Sequence, residues 1–381
     1  MKIKKFFFYI FIFLLVDLIF TNLLIKDSTY WNSTETKYFQ KKDWRIASNI
    51  YHHDIKKNIN VAETWGPYKY ELITNSLGFR DSKIRKISLI DNTKKRIYIN
   101  GDSFVEGVGY NYSDTVIGLL EGNFANGYNI LNSAVTSYSP SIYYRKTLHY
   151  INNGLKFDYC LIFLDISDIP DENFIDEDEK GNIYDIRQKK NKKAFKEKIY
   201  YVSRFYRDNF ISGRLIGIFR EIVGNFKSNL KKRFLASKKF NQSFFTISKD
   251  KINLYKSTHI DRSMWTFDSK YSEKWEKNGL KKSSLYLKKL FELLENNNVK
   301  SYLVIYPNPG QILFNNNVHE RYWVDWTLNN NVNLINLYKY FDESDKETLI
   351  KKYFIPGDVH WNRAGHMLVF NALKKELSNI F

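Results

Sequence analysis

The chain has 381 residues, long enough for one large domain with insertions or for two domains. Its formal charge is +18, and between Arg187 and Lys256 twenty basic residues stand against four acidic ones, so most of the excess belongs to one segment. That segment suits anionic lipid or an acidic glycan, and no nucleic-acid module accompanies it, so nucleic acid is set aside as a partner.

The N-terminus is a short basic stretch, residues 1–5, followed by Phe6–Ile25, which is apolar except for Asp17, Thr21 and Asn22. That length spans a bilayer as a helix, with the lysines on the cytoplasmic side. No small-residue cleavage site follows, so we read an uncleaved signal anchor with the body of the chain on the extracytoplasmic side. A cleaved signal peptide and a buried N-terminal helix are the competing readings. Asp17 costs a few kcal/mol within such a span. Residues 26–69 are mixed and polar, and read as a stalk. His52-His53 within it lack a Cys or carboxylate at ligand spacing and read as a surface pair rather than a metal site. Gly78 suits a turn at the entry to the next domain, where Arg80 is either structural or paired with a carboxylate near the site.

Strand–helix alternation then sets in. Arg96–Asn100 reads as a strand that runs into Gly101-Asp102-Ser103. Ser113-Asp114 is a candidate helix cap. Further strands are Asn129–Asn132, Tyr159–Leu164, Ser301–Tyr306 and Asn333–Leu337, and helices fall at 141–152, 272–297 and 363–377. Cys160, the single cysteine, lies in an apolar run and reads as a buried core residue. Buried strands alternating with helices imply an α/β fold with a parallel sheet, whose site lies at the carboxyl ends of the strands. Residues 171–270 interrupt the alternation with an acidic patch and then the basic segment. In it Val202, Phe205, Phe210, Ile216, Phe219 and Ile222 give a loosely helical apolar stripe. That stripe is open to three readings: a packed helix, a lid, or an interfacial helix.

Gly-Asp-Ser alone is a weak signal, and so is Asp358-Val359-His360. Their placement is stronger, one after the first strand of the sheet and one just before its last helix. A serine at a strand end, a histidine base and a carboxylate two residues from it form the set a serine nucleophile requires. Backbone N–H groups of Ser103 and of the loop around Ser137 are candidates for stabilising an oxyanion. Asn362 reads as a helix cap and His366 as structural.

These residues resemble the first and last sequence blocks of the SGNH/GDSL hydrolases: Gly101-Asp102-Ser103, and Asp358-Val359-His360-Trp361-Asn362 with Gly365-His366 beyond. Thr74–Arg80 and Ile305–Pro309 are similar to stretches of membrane-anchored bacterial members associated with cell-surface polysaccharide. The resemblance covers about 70–170 and 275–381. It implies a three-layer α/β/α sandwich, flavodoxin-like, with a five-stranded parallel sheet, and leaves the basic insertion unexplained. Joined to the reading of the residues, the expected fold is that sandwich with an N-terminal transmembrane helix and a helical basic insertion. The domains would be 70–170 with 271–381, and the insertion 171–270 as a cap or lid. Ser103 would be the nucleophile, His360 the base and Asp358 its orienter, with no metal and no organic cofactor. Two positions depart from the family. Ser137 stands where a glycine supplies an N–H to the oxyanion hole, and Ser167 where an asparagine side chain does. A serine is shorter, and losing one donor costs roughly a hundred- to a thousand-fold in rate.

The leading expectation is a serine esterase acting on O-acyl groups of a cell-surface or exported polysaccharide, held to the membrane by residues 6–25. Three others stay open: an O-acetyltransferase with the same triad, a catalytically inactive glycan- or lipid-binding module using 187–256, and a lipid-directed esterase.

Overall fold

The computed structural model describes residues 2–26, 28, 31, 43–186, 202–220, 222–223, 263–267, 269–378 and 380. Contacts divide the chain into two units, residues 1–43 with 189–245, and residues 44–188 with 246–381.

The larger unit opens with two antiparallel hairpins, β1 (Arg45–Ser48) with β2 (His52–Ile55), and β3 (Asn60–Trp65) with β4 (Tyr68–Ile73). The stalk expected over 26–69 therefore does not hold for 44–69. Trp44, Tyr51, Ile55, Tyr70 and Leu72 belong to the hydrophobic core. These strands are short, and only β4 shows a clear alternation, with Tyr70 and Leu72 inward, so the segment reads as coil in the sequence. His52 and His53 are half-buried rather than a surface pair. His53 Nε2 lies 2.8 Å from the carbonyl of Thr136, and burial pushes its pKa down to about 4.

The central sheet is parallel and five-stranded: β5 (Lys95–Asn100), β6 (Tyr128–Asn132), β7 (Tyr159–Leu164), then, after the small hairpin β8 (Ile175–Glu177) and β9 (Ile183–Asp185), β10 (Lys300–Ile305) and β11 (Asn333–Asn336). The strand order is β11-β10-β7-β5-β6. Chain direction reverses its walk across the sheet at β5, which puts a switch point between β5 and β7. Strands β5, β7 and β10 are buried on both faces over most of their length, as the unbroken apolar run of β7 implies for that strand. Helices Pro140–Asn152 and Ser269–Asn296 pack on each other over one face, where Tyr98, Leu131, Ile162 and Leu303 meet Ile142, Leu287 and Leu290. Val116–Phe124 and Arg363–Leu377 pack together elsewhere on the sheet. There the N–H of Val116 donates to Nδ1 of the buried His366 at 3.2 Å, so His366 is a packing residue. Cys160 is buried and free. Helices and strands together give the α/β sandwich expected from the sequence.

Local details differ from expectation. The cap of Val116–Phe124 is Thr115, whose Oγ1 accepts from the Gly118 N–H, and Ser113-Asp114 lie in a preceding 3-10 turn. Asn362 does cap the last helix, accepting from Gly365 at 3.0 Å. Both ends of the expected 171–270 insertion belong to the larger unit: Ile175 and Ile183 are core residues, and Trp265 donates to the Ile166 carbonyl at 3.0 Å. Of the basic segment, 187–201, 221 and 224–256 lie outside the described residues.

Candidate functional site

Strand β5 delivers Gly101-Asp102-Ser103 to the carboxyl edge of the sheet, where one helical turn, Ser103–Glu106, begins at once. Asp102 caps that turn, its Oδ1 accepting from the Phe104 N–H at 3.0 Å. The turn closes at Gly107, whose φ of 77° is left-handed and where a Cβ would lie 2.4 Å from Thr115 Cγ2. Only glycine fits there. Arg80 secures the exit of the turn by donating to the carbonyls of Glu106, Gly107 and Tyr110. It is thus a structural arginine, with no carboxylate among its described hydrogen-bond partners.

The loop before the last helix brings the partners. Ser103 Oγ lies 2.7 Å from His360 Nε2, and His360 Nδ1 lies 2.5 Å from Asp358 Oδ1. With the Nδ1–H donating to Asp358, Nε2 is left as acceptor for the Ser103 hydroxyl. The Asp358 carboxylate also takes the His360 N–H at 3.1 Å on Oδ1 and the indole N–H of Trp65 at 2.8 Å on Oδ2. Burial alone would push the Asp358 carboxyl up. The His360 hydrogen bond and charge, with the Trp65 N–H, outweigh it and hold the group well below the usual carboxylate range. Phe104 and Trp65 wall the imidazole, with ring centroids at 4.6 and 4.9 Å. An activated hydroxyl, an aligned base and an ionised orienter can carry out nucleophilic attack on an acyl carbonyl.

The 133–139 loop follows β6. Ser137 has φ of 65°, the left-handed conformation that usually calls for glycine, so the serine holds here the backbone shape a glycine would adopt. No acceptor for its N–H is found among the described residues. The neighbouring Thr136 is gripped by Glu106, which accepts from its N–H at 2.6 Å and its hydroxyl at 2.8 Å. Arg45 holds the same carboxylate through two nitrogens at 3.0 and 2.6 Å. Burial would raise Glu106, but the Arg45 fork and the Thr136 N–H bring it down to about 2. A carboxyl lowered on folding stabilises the fold above its ordinary value of 4.5, and that contribution is lost as pH falls towards about 2. Glu106→Gln is expected to cost about 3–5 kcal/mol at neutral pH and to flatten the acid limb of stability against pH. Urea unfolding at a series of pH values checks this.

Ser167 is turned the other way. Its hydroxyl and its N–H both go to Asp165 Oδ2, at 2.5 and 3.0 Å. The side chain expected to help an oxyanion is therefore engaged with its own loop. Asp165 belongs to a buried trio with Asp102 and Asp168, whose oxygens come within 4.8 Å of one another. Burial, and for Asp102 and Asp168 the neighbouring carboxylates, push all three up. Like charges packed this closely hold protons in place of full ionisation. The trio is also the group of described residues whose carboxylate oxygens lie close enough together to hold a cation. Asp102 Oδ2 sits 3.2 Å from Ser103 Oγ, so the trio adjoins the nucleophile.

Sequence reasoning did not find Trp65, which lies 293 residues from Asp358. It also missed the Arg45–Glu106 clamp and the acidic trio. The Asp-rich run Asp165-Ile166-Ser167-Asp168 was the available signal for the trio. For Trp65 there was none, since its hairpin read as stalk. Trp65→Phe is expected to lower kcat/KM tenfold or more, since a hydrogen bond to a charged group is worth about 1.5–3 kcal/mol. Steady-state kinetics against an unchanged unfolding midpoint test it.

No family model and no curated protein sequence matches the chain. Among solved structures it is similar to a GDSL-like lipase from Bacteroides thetaiotaomicron, at 12% identity and a TM-score of 0.37, over 77% of this chain and 93% of that one. It is also similar to the esterase EstA from a Pseudoalteromonas species, at 11% identity and a TM-score of 0.37, over 75% and 98%. An acetyl xylan esterase matches at 11% and 0.37, over 74% and 99%. At these identities and scores the functional reading rests on the site's own geometry.

Proposed function

We propose that the chain is a serine ester hydrolase of the SGNH type. The observation that carries this is the unbroken series Ser103–His360–Asp358, with contacts of 2.7 and 2.5 Å at the carboxyl edge of a parallel sheet. His360 takes the Ser103 proton as Oγ bonds to the acyl carbon. The Ser103 and Ser137 N–H groups receive the oxyanion, and the proton passes from His360 to the departing alkoxide. Water, deprotonated by His360, then cleaves the acyl-Ser103 ester and returns the free acid.

The substrate class we propose is an O-acylated carbohydrate of the cell surface. Two features support it. Asn315, Asn316, Asn317 and Glu320, together with Tyr338 and Phe341, line a cleft of about 250 Å³ beside the ends of β10 and β11, and that mixture of hydrogen-bonding groups and rings suits a sugar. A helix long and apolar enough to cross a membrane, Lys5–Ile25, would hold the enzyme at the envelope. The test is acid release from O-acetylated polysaccharides compared with long-chain acyl esters, for the full chain and Ser103→Ala. Acetate released from the polysaccharide by the unmutated chain alone supports the reading. Release confined to long-chain esters overturns the carbohydrate assignment.

A further inference from the structure

The smaller unit contains an arrangement that the ester chemistry does not use. Asp17 and Thr21 sit on the apolar N-terminal helix, yet both are buried, at 6% and 0% exposure, among neighbours that are largely exposed. Their partner is the start of a second helix. The Ile211 N–H donates to Asp17 Oδ1 at 3.0 Å and to Thr21 Oγ1 at 2.8 Å, and the Ser212 N–H donates to Asp17 Oδ2 at 3.3 Å. The Ser212 hydroxyl donates to the same carboxylate. One turn further along the first helix, Asn22 donates to the Asn209 carbonyl at 3.2 Å.

A helix start exposes unpaired N–H groups and carries partial positive charge. A carboxylate inside an apolar span lacks a partner. Each supplies what the other needs, so the charge that weakens Lys5–Ile25 as a membrane span is the cap of the 211–220 helix. This makes the N-terminal helix a structural partner rather than a disposable leader.

The paired segment turns its apolar side outward. Phe205, Leu215, Ile216, Phe219 and Ile222 are all exposed, and the last four follow one helical face. A soluble protein buries such a face, and a patch of this kind continuous with an apolar span marks a lipid contact. Asp17 lies about 12 Å along the helix from Ile25, well inside a hydrocarbon core about 30 Å thick, where a carboxylate most needs a partner. Arg214 is drawn back from that face, its guanidinium 3.7 Å above the Trp31 ring and donating to the Trp31 carbonyl at 2.6 Å.

We propose that residues 202–220 with 222–223 are a membrane-embedded element, clasped by Asp17 and Thr21 to a retained N-terminal helix, with the Leu215, Ile216, Phe219 and Ile222 face in lipid. The inference rests on the anchor reading and not on the serine chemistry.

The test uses the full chain in phosphatidylethanolamine–phosphatidylglycerol vesicles carrying nitroxide-labelled lipid. A fluorophore is attached at Phe219→Cys, and separately at Phe13→Cys within the span and Leu328→Cys on the exposed surface of the larger unit. Quenching at 219 severalfold stronger than at 328 is the expected result. Quenching at 13 with none at 219 beyond that at 328 overturns the clasped element and leaves the anchor standing. Quenching at neither 13 nor 219 overturns both. Asp17→Leu is expected to speed amide exchange at Ile211 and Ser212 severalfold. Unchanged exchange there contradicts the clasp even if the segment meets lipid by itself.

Discussion

Ser103→Ala is expected to reduce kcat for ester hydrolysis on the order of 10⁴–10⁶-fold, with the fold unchanged. The methyl group removes the atom that bonds to the acyl carbon. It leaves His360, Asp358 and the backbone donors in place, so only the slow attack of positioned water remains. The structural cost is small. Ser103 Oγ makes hydrogen bonds only to His360 and Asp102 among the described residues, and no strand or helix depends on it. Turnover of a small acetyl ester, measured with the unfolding midpoint, separates the two effects. A Ser103→Ala protein that keeps more than a few per cent of activity would contradict the assignment.

Asp358→Asn is the second large effect, a loss on the order of 10⁴-fold. The carboxylate accepts from the His360 ring, the His360 N–H and the Trp65 indole, so all of its partners are donors. An amide in its place presents N–H₂ to one of them. Facing Nδ1, that group favours the tautomer whose Nε2 already carries a proton, and such an imidazole cannot take the one from Ser103. Because Asp358 is held well below the usual carboxylate range, its own protonation does not set the acid limb of activity. The loss in Asp358→Asn should accordingly persist across the acid range, where a residue that merely packed would show no such pattern. A pH–rate profile of kcat/KM for both proteins tests this.

The elements that the sequence revealed best are those with a single dominant signal. β7 matches its expected bounds, Tyr159–Leu164, because six apolar residues in a row suit nothing but a strand buried on both faces or a core helix, and the flanking turns exclude the helix. Gly101-Asp102-Ser103 directly follows β5, and Asp358-Val359-His360 lies just before Arg363–Leu377, the positions that strand–helix alternation gives them. The hairpins over 45–73 were not legible. Their strands run four to six residues with one half-exposed face, and β2 begins His52-His53-Asp54, which has no apolar alternation to read.

The same blindness hid part of the site. Trp65 and Arg45 come from those hairpins and meet Asp358 and Glu106 only through tertiary packing, which local pattern does not encode. Ser137 could be read as keeping an N–H, but whether it adopts the positive φ of a glycine is decided by the loop that Glu106 clamps through Thr136. Ser167 shows the converse. Its position by motif suggested an oxyanion donor, whereas Asp165, two residues earlier, captures its hydroxyl. The acid trio required knowing that β5 and β7 are neighbours, which brings Asp102 beside Asp165 and Asp168.

The most direct test of the central claim is labelling of the full chain with a fluorophosphonate at neutral pH, followed by mapping of the modified peptide. The Ser103 oxygen bonds to phosphorus, fluoride leaves, and His360 takes the proton, so the reagent reports the activated hydroxyl independently of any substrate. Modification at Ser103 in the unmutated chain, absent in His360→Ala, is the predicted result. A folded chain that stays unlabelled, or one labelled equally with and without His360, would contradict it.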